Sequence, residues 1–147
     1  MRISVQEAAF DAGAELTAFS TGLTSQGAVV TFTGIVRNSP EGDLQAMEIE
    51  HYPGMTEASL REMAQKAMAR FALGDVLVIH RYGRLAPDEV IMMVATAAPH
   101  RKAAFEAADF LMDYLKSRAP FWKREITDGG ATWVASKDAD EDALKRW

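Results

Sequence analysis

Leu60, Met63, Ala64, Ala67, Met68 and Phe71 recur at intervals of three and four. That spacing sets them along one side of a helix, as an apolar stripe that must be covered. The stripe follows a Pro53–Gly54 turn, where Thr56 is the expected cap, and Gly74 is the expected stop. The pattern upstream is different. GAVVTFTGIVR (27–37) is β-branched and apolar, as in a central strand. In LQAMEIEHY (44–52), Met47 and Ile49 face one way and Glu48 and Glu50 the other. A one-sided helix beside one-sided strands buries its stripe by lying on a sheet, so the chain is predicted to form layers of helix on sheet.

The rest of the chain fits that plan. NSPEGD (38–43) reads as a loop. VLVIHRY (76–82) and EVIMMVAT (89–96) flank GRLAPD as a hairpin. A second helix is predicted from near Pro99 to about Ser117, since proline suits a first helical position. FWKREIT and ATWVASK flank Asp128–Gly129–Gly130 as a second hairpin. The tail DADEDALKRW reads as a short helix, and the first residues as a strand followed by a polar turn. The fold class is therefore α+β, a largely antiparallel sheet with helices against one face. The 147 residues show no repeat, low-complexity tract or linker, so residues 1–147 are expected to form one domain.

Several functions are excluded. A net charge of −5 argues against a general nucleic-acid binder, which needs a basic surface. With no cysteine, disulfides, thiolate nucleophiles and Cys-based metal sites are impossible. No apolar run nears the roughly 20 residues that span a bilayer, and no signal core precedes the first strand, so a cytoplasmic location is expected. Phosphate-loop, dinucleotide, nucleophile-elbow and zincin motifs are absent. His51, His80 and His100 fall on separate elements, and no metal site is expected.

Chemistry gathers instead around RAPFWKRE (118–125). Pro120 ends the helix before it. If 121–126 is extended, Phe121, Lys123 and Glu125 share one face, and Trp122, Arg124 and Ile126 the other. An ammonium held beside aromatic rings loses hydration, and its pKa falls. Lys123 is then a candidate acid, base or nucleophile, unless its stem merely covers the rings while its head stays in water. Lys116, one turn before the break, either joins Lys123 or pairs with Asp113 and complements the helix dipole. At the other end of that helix, His100, Arg101 and Lys102 place cations where the dipole disfavours them, which a bound anion would reverse. Lys102 is expected to pair with Glu106. Arg37, closing the most apolar strand, could clamp a phosphate or simply be solvated.

Taken together, GAVVTFTGIVRN, EHYPGMTE, VIHRYGRL, HRKAAFEAADFLMDYLKSRAPFWKRE and the terminal KRW resemble the large, catalytic subunit of molybdopterin synthase, with YLKSRAPFWKRE the most specific part. The resemblance implies an α/β hammerhead-like fold with an added antiparallel sheet. It implies conversion of cyclic pyranopterin monophosphate to molybdopterin, two sulfurs being inserted as a dithiolene without a redox cofactor or metal. The sulfur donor would be a small ubiquitin-like subunit with a C-terminal Gly-Gly thiocarboxylate, bound at each end of a homodimer to give a heterotetramer. Lys116 and Lys123 take the catalytic roles. Arg37, His100 and Arg101 bind substrate, the last two from the neighbouring protomer. Arg124 and Glu125 line the same site, and the backbone at Ile35 and Val36 approaches the substrate. Ile35 departs from relatives that carry lysine there. The competing reading is a non-catalytic module binding an anion or a protein partner through the same cationic groove. A single-stranded RNA binder stacking bases on Phe121 and Trp122 is opposed by the acidic charge.

Overall fold

The computed structural model describes residues 1–135 and 137–147. Its strands form two four-stranded sheets. The first has the order β1 (Arg2–Gln6), β4 (Asp75–Arg81), β6 (Val90–Ala98), β2 (Ala28–Ile35). The second has the order β5 (Gly83–Leu85), β3 (Ala46–His51), β7 (Phe121–Thr127), β8 (Gly130–Trp133). Every pair is antiparallel except β1 with β4. The α+β class stands, but with two sheets where the residue pattern suggested one. The division occurs at Gly83, whose φ of +87° lets the chain leave β4 and enter the second sheet at once. The 76–82 and 89–96 strands still pair as a hairpin, with β5 diverted from between them.

Helices α2 (Met55–Phe71) and α3 (Arg101–Ser117) cover one face of the first sheet. Leu60, Met63, Ala64 and Ala67 of α2 are buried there, with Ala104, Ala107, Phe110 and Leu111 of α3. A large apolar side chain fully buried in this layer contributes about 1.5–3 kcal/mol. The helices do not lie on one face alone. α1 (Ala12–Ser20), in a stretch where only a polar turn had been expected, covers the opposite face. There Phe10, Ala12 and Phe19 pack on Leu77, Ile79, Met93 and Ala95. Its stripe is too weak to read as a helix beforehand, and no residue of α1 is fully buried. Asp11 caps it, accepting from the Ala14 N–H at 3.0 Å.

Both ends of α2 differ from expectation. Thr56 is inside the helix and buried, its hydroxyl donating to the Tyr52 carbonyl at 2.7 Å. The Glu57 carboxylate instead accepts from the Gly54 N–H at 2.7 Å. The helix stops at Ala72, in the left-handed region at φ 51°, before Gly74 is reached. β8 ends at Trp133, short of the strand expected over 131–137, and Ser136 lies outside the described residues. Past it, α4 (Asp138–Leu144) folds back on α3. Arg146 reaches Asp109 at 3.0 Å and Asp113 at 2.7 Å, and the Trp147 indole donates to Asp113 at 2.6 Å. Among the described residues no helix is long and apolar enough to cross a membrane.

Candidate active site

Side chains alternate along β4. Val76 and Val78 turn toward the α2–α3 layer, Leu77 and Ile79 toward α1. By the same alternation His80 turns under the C-terminal end of α3. It meets β7 there. The Phe121 ring lies flat on the imidazole, centroids 3.7 Å apart and 16° from parallel.

The register of β7 on β3 sets the other walls. Phe121 is opposite His51, Lys123 opposite Ile49, and Glu125 opposite Met47. Directly opposed residues share a face, so Phe121, Lys123 and Glu125 point together, as the alternation predicts. Arg124 is opposite Glu48 on the reverse face; the two form an ion pair, and the Arg124 guanidinium lies 5.3 Å from the centre of the Trp133 ring. Trp122 is also on that reverse face, edge-on to Tyr52 at 5.3 Å. Phe121, and not Trp122, is the aromatic that shields the lysine.

A cavity of about 590 Å³ opens between these elements. Lys116, Lys123, Arg37, Glu125 and His80 line it. α3 breaks at Ser117 and β7 starts at Phe121, so the chain reverses around Pro120 and brings both lysines to one space. An adjoining cavity of about 290 Å³ shares Ile35, His80, Lys116 and Lys123 and adds an apolar wall of Phe32, Met92 and Met112. Lys116 does not take the structural role open to it, because Asp113 is engaged by Arg146 and Trp147. Among the described residues neither lysine forms an ion pair.

Electrostatics follow from this enclosure. Burial, then repulsion by Lys116, lowers the Lys123 ammonium from 10.5 to about 8, with Asp140 opposing the shift. Burial, then the Lys123 charge, lowers His80 from 6.5 to about 3. The imidazole is therefore neutral across the working range. Lys123 is mostly charged near neutral pH but gives up its proton far more readily than an ordinary lysine, which suits a proton-transfer group.

The other expected residues divide. Arg37 and Ile35 line the main cavity, and Ile35 is 55% exposed. The Val36 side chain is buried in the core; its N–H donates to the Glu89 carbonyl and its carbonyl accepts from Asp88, both at 2.9 Å. Glu125 lines the cavity, whereas Arg124 faces away from it. His100 and Arg101 are exposed at the start of α3. Fifteen residues of helix put them ~22 Å along the axis from Lys116, so one chain does not bring these groups together. Lys102 reaches Glu106 at 3.9 Å.

Three polar residues of the lining, His80, Lys137 and Asp140, are not among the site residues expected from the sequence. His80 carried a signal, since a histidine inside VLVIHRY is polar in a strand covered on both faces. Lys137 and Asp140 carried none, because they reach the cavity only when the tail folds back. The Ser117 hydroxyl fixes that return by donating to the Asp140 carbonyl at 2.9 Å.

Comparison with known proteins sets this geometry in context. Residues 5–118 match the family model described as MoaE protein. Over 147 residues, all of both chains, the sequence is 63% identical to the molybdopterin synthase catalytic subunit of Cereibacter sphaeroides. The fold is similar to the molybdopterin biosynthesis MoaE protein from Burkholderia ambifaria, with a TM-score of 0.84, 46% identity, and 99% and 96% of the two chains covered. It is similar also to the molybdopterin synthase of Staphylococcus aureus, with a TM-score of 0.83, 28% identity, and 92% and 98% covered.

Proposed function

The chain belongs to the MoaE protein family, and from that premise we propose that it is the catalytic subunit of a molybdopterin synthase. It converts cyclic pyranopterin monophosphate to molybdopterin by sulfur transfer. The observation that carries this reading is the meeting of Lys116 and Lys123 in one half-enclosed cavity, with Lys123 lowered to about 8. Such a lysine can exchange a proton with a reacting group, while Lys116 supplies fixed charge for an anionic substrate. Arg37 adds a guanidinium suited to a phosphate.

The sulfur arrives on a partner. A chain without cysteine has no thiol to carry it. The partner is a small ubiquitin-like subunit whose Gly-Gly tail ends in a thiocarboxylate. The assembly is a homodimer with one small subunit at each end, working in the cytoplasm. Within it His100 and Arg101 of one protomer serve the cavity of the other, which fits their distance from Lys116 in a single chain. Arg124 contributes to the site by holding Glu48 behind β7, and Glu125 contributes from the cavity wall.

Reconstitution tests the reading. Purified chain with substrate and thiocarboxylated partner should yield molybdopterin, and the chain with inorganic sulfide alone should not. Product formed without the partner would overturn it.

A further inference from the structure

His80 is a buried titratable side chain, 4% exposed, on the wall of the site. Its Nδ1 lies 2.8 Å from the Arg81 carbonyl oxygen. A carbonyl only accepts, so Nδ1 carries the hydrogen and Nε2 is left with a free lone pair. The ring is held by the Phe121 stack and lines both cavities, each shared with Lys116 and Lys123. Among the described residues Nε2 makes no hydrogen bond, and neither does the Lys123 ammonium. A rigid acceptor and a partly dehydrated donor thus border the same space.

We propose that His80 is a positioning residue for Lys123: Nε2 accepts one N–H of the lysine, so that the remaining hydrogens or the amine lone pair point at the substrate. The proposal rests on Lys123 being the proton-transfer group. The alternation of β4 and the tautomer set by Arg81 make this acceptor permanent. The charged and titratable groups around the ring do not change that. Lys116 from α3 and Lys123 from β7 oppose its protonation, as does His51 from β3. Asp140 and Glu125 are the carboxylates on the cavity wall, with Arg37 and Lys137 the further cations. An imidazole at about 3 is too weak a base to take the proton itself. It can only direct the group that does.

Two measurements test this. In the wild-type protein, the nitrogen-15 resonance of His80 Nε2 should remain that of an unprotonated imidazole nitrogen from mildly acidic to mildly alkaline pH. It should shift with a midpoint near the value of about 8 for Lys123, and Lys123→Met should abolish the shift. A resonance indifferent to Lys123 would overturn the proposal, whatever the enzyme's activity. The second measurement uses His80→Phe, which keeps a flat ring on Phe121 but has no acceptor. In complex with the thiocarboxylated partner, single-turnover rate should fall about tenfold or more, as for a misdirected proton transfer, with substrate affinity held. The pH–rate midpoint should move with it. His80→Gln, which restores an acceptor, should recover part of the rate. A folded His80→Phe variant with the wild-type rate and midpoint would also overturn it. Absence of product from the wild-type complex would instead count against the proposed function and leave the resonance measurement to judge His80.

Discussion

Lys123 stands directly opposite Ile49 in the β3–β7 ladder, an ammonium paired across the sheet with a side chain only 2% exposed. That register removes the water the lysine would otherwise keep. Combined with Lys116 across the cavity, it makes the neutral amine accessible near physiological pH.

Replacing Lys116 by methionine removes the like charge while keeping a stem of similar length. Repulsion lowers the Lys123 pKa, so its loss must raise it. Carbon-13 labelling of the lysine side chains should show the Lys123 midpoint moving up from about 8 toward 10.5. It should stop short of 10.5, because burial, the larger cause, remains. A midpoint that is unchanged or falls would mean the two ammonium groups do not interact.

Lys123 should cost the fold stability. Its folded-state value lies below its unfolded one, so between about 8 and 10.5 the unfolded chain binds more protons. Stability contributed by this group therefore rises with pH through that window, and the full penalty applies below about 8. Lys123→Met should stabilise the protein at neutral pH by on the order of 1–3 kcal/mol, and the gain should shrink as pH rises through the window. Denaturant titrations at several pH values read this directly. Destabilisation at neutral pH would contradict the burial assigned to the ammonium.

His80 gives the opposite flank of the same stability curve. Its folded value of about 3 lies below the unfolded 6.5, so the unfolded chain again binds more protons between them. Stability should fall as pH drops from 6.5 toward 3. His80→Phe should flatten that acid limb, as measured by thermal unfolding across the same range. An unaltered acid limb would place the acid sensitivity elsewhere.

The separation of Arg101 from Lys116 within one chain predicts complementation. Arg101→Ala should weaken substrate binding by about 1.5–3 kcal/mol, the worth of one charge-assisted contact, without unfolding the protein. Mixed dimers of Arg101→Ala with Lys123→Arg should recover activity, because one of their two sites then holds an intact Lys123 and an intact Arg101. Mixtures no more active than the separate variants would show that the residues do not meet across a dimer.

Much of this could be read from the residues because the signals are local. The α2 stripe, the β7 alternation and the Pro120 break each depend on neighbours a few positions away, and the last two bring Lys116 and Lys123 to the wall of one cavity. α1 was not legible, since Phe10, Ala12 and Phe19 make too brief a stripe to indicate a helix. The residue pattern does not show the second sheet, which only the resemblance implies, because the choice of partner for β3 depends on the diversion at Gly83. Asp140 and Lys137 come to the cavity through the folding back of α4, anchored by Ser117 and by Arg146 and Trp147 on Asp113. Arg124 was assigned to the site by resemblance, but alternation along β7 turns it to the reverse face, where Glu48 holds it. The resemblance also supplied the substrate and the sulfur donor, which no spacing of residues encodes.

In the proposed reaction Lys123 moves a proton during sulfur transfer. Single-turnover conversion of cyclic pyranopterin monophosphate by Lys123→Arg, with preloaded thiocarboxylated partner, isolates that step. Arginine keeps the charge but cannot release its proton near neutral pH. The variant should bind substrate and partner almost normally and lose roughly 10²-fold or more in rate. Turnover close to wild type would contradict the claim and assign Lys123 a purely electrostatic role.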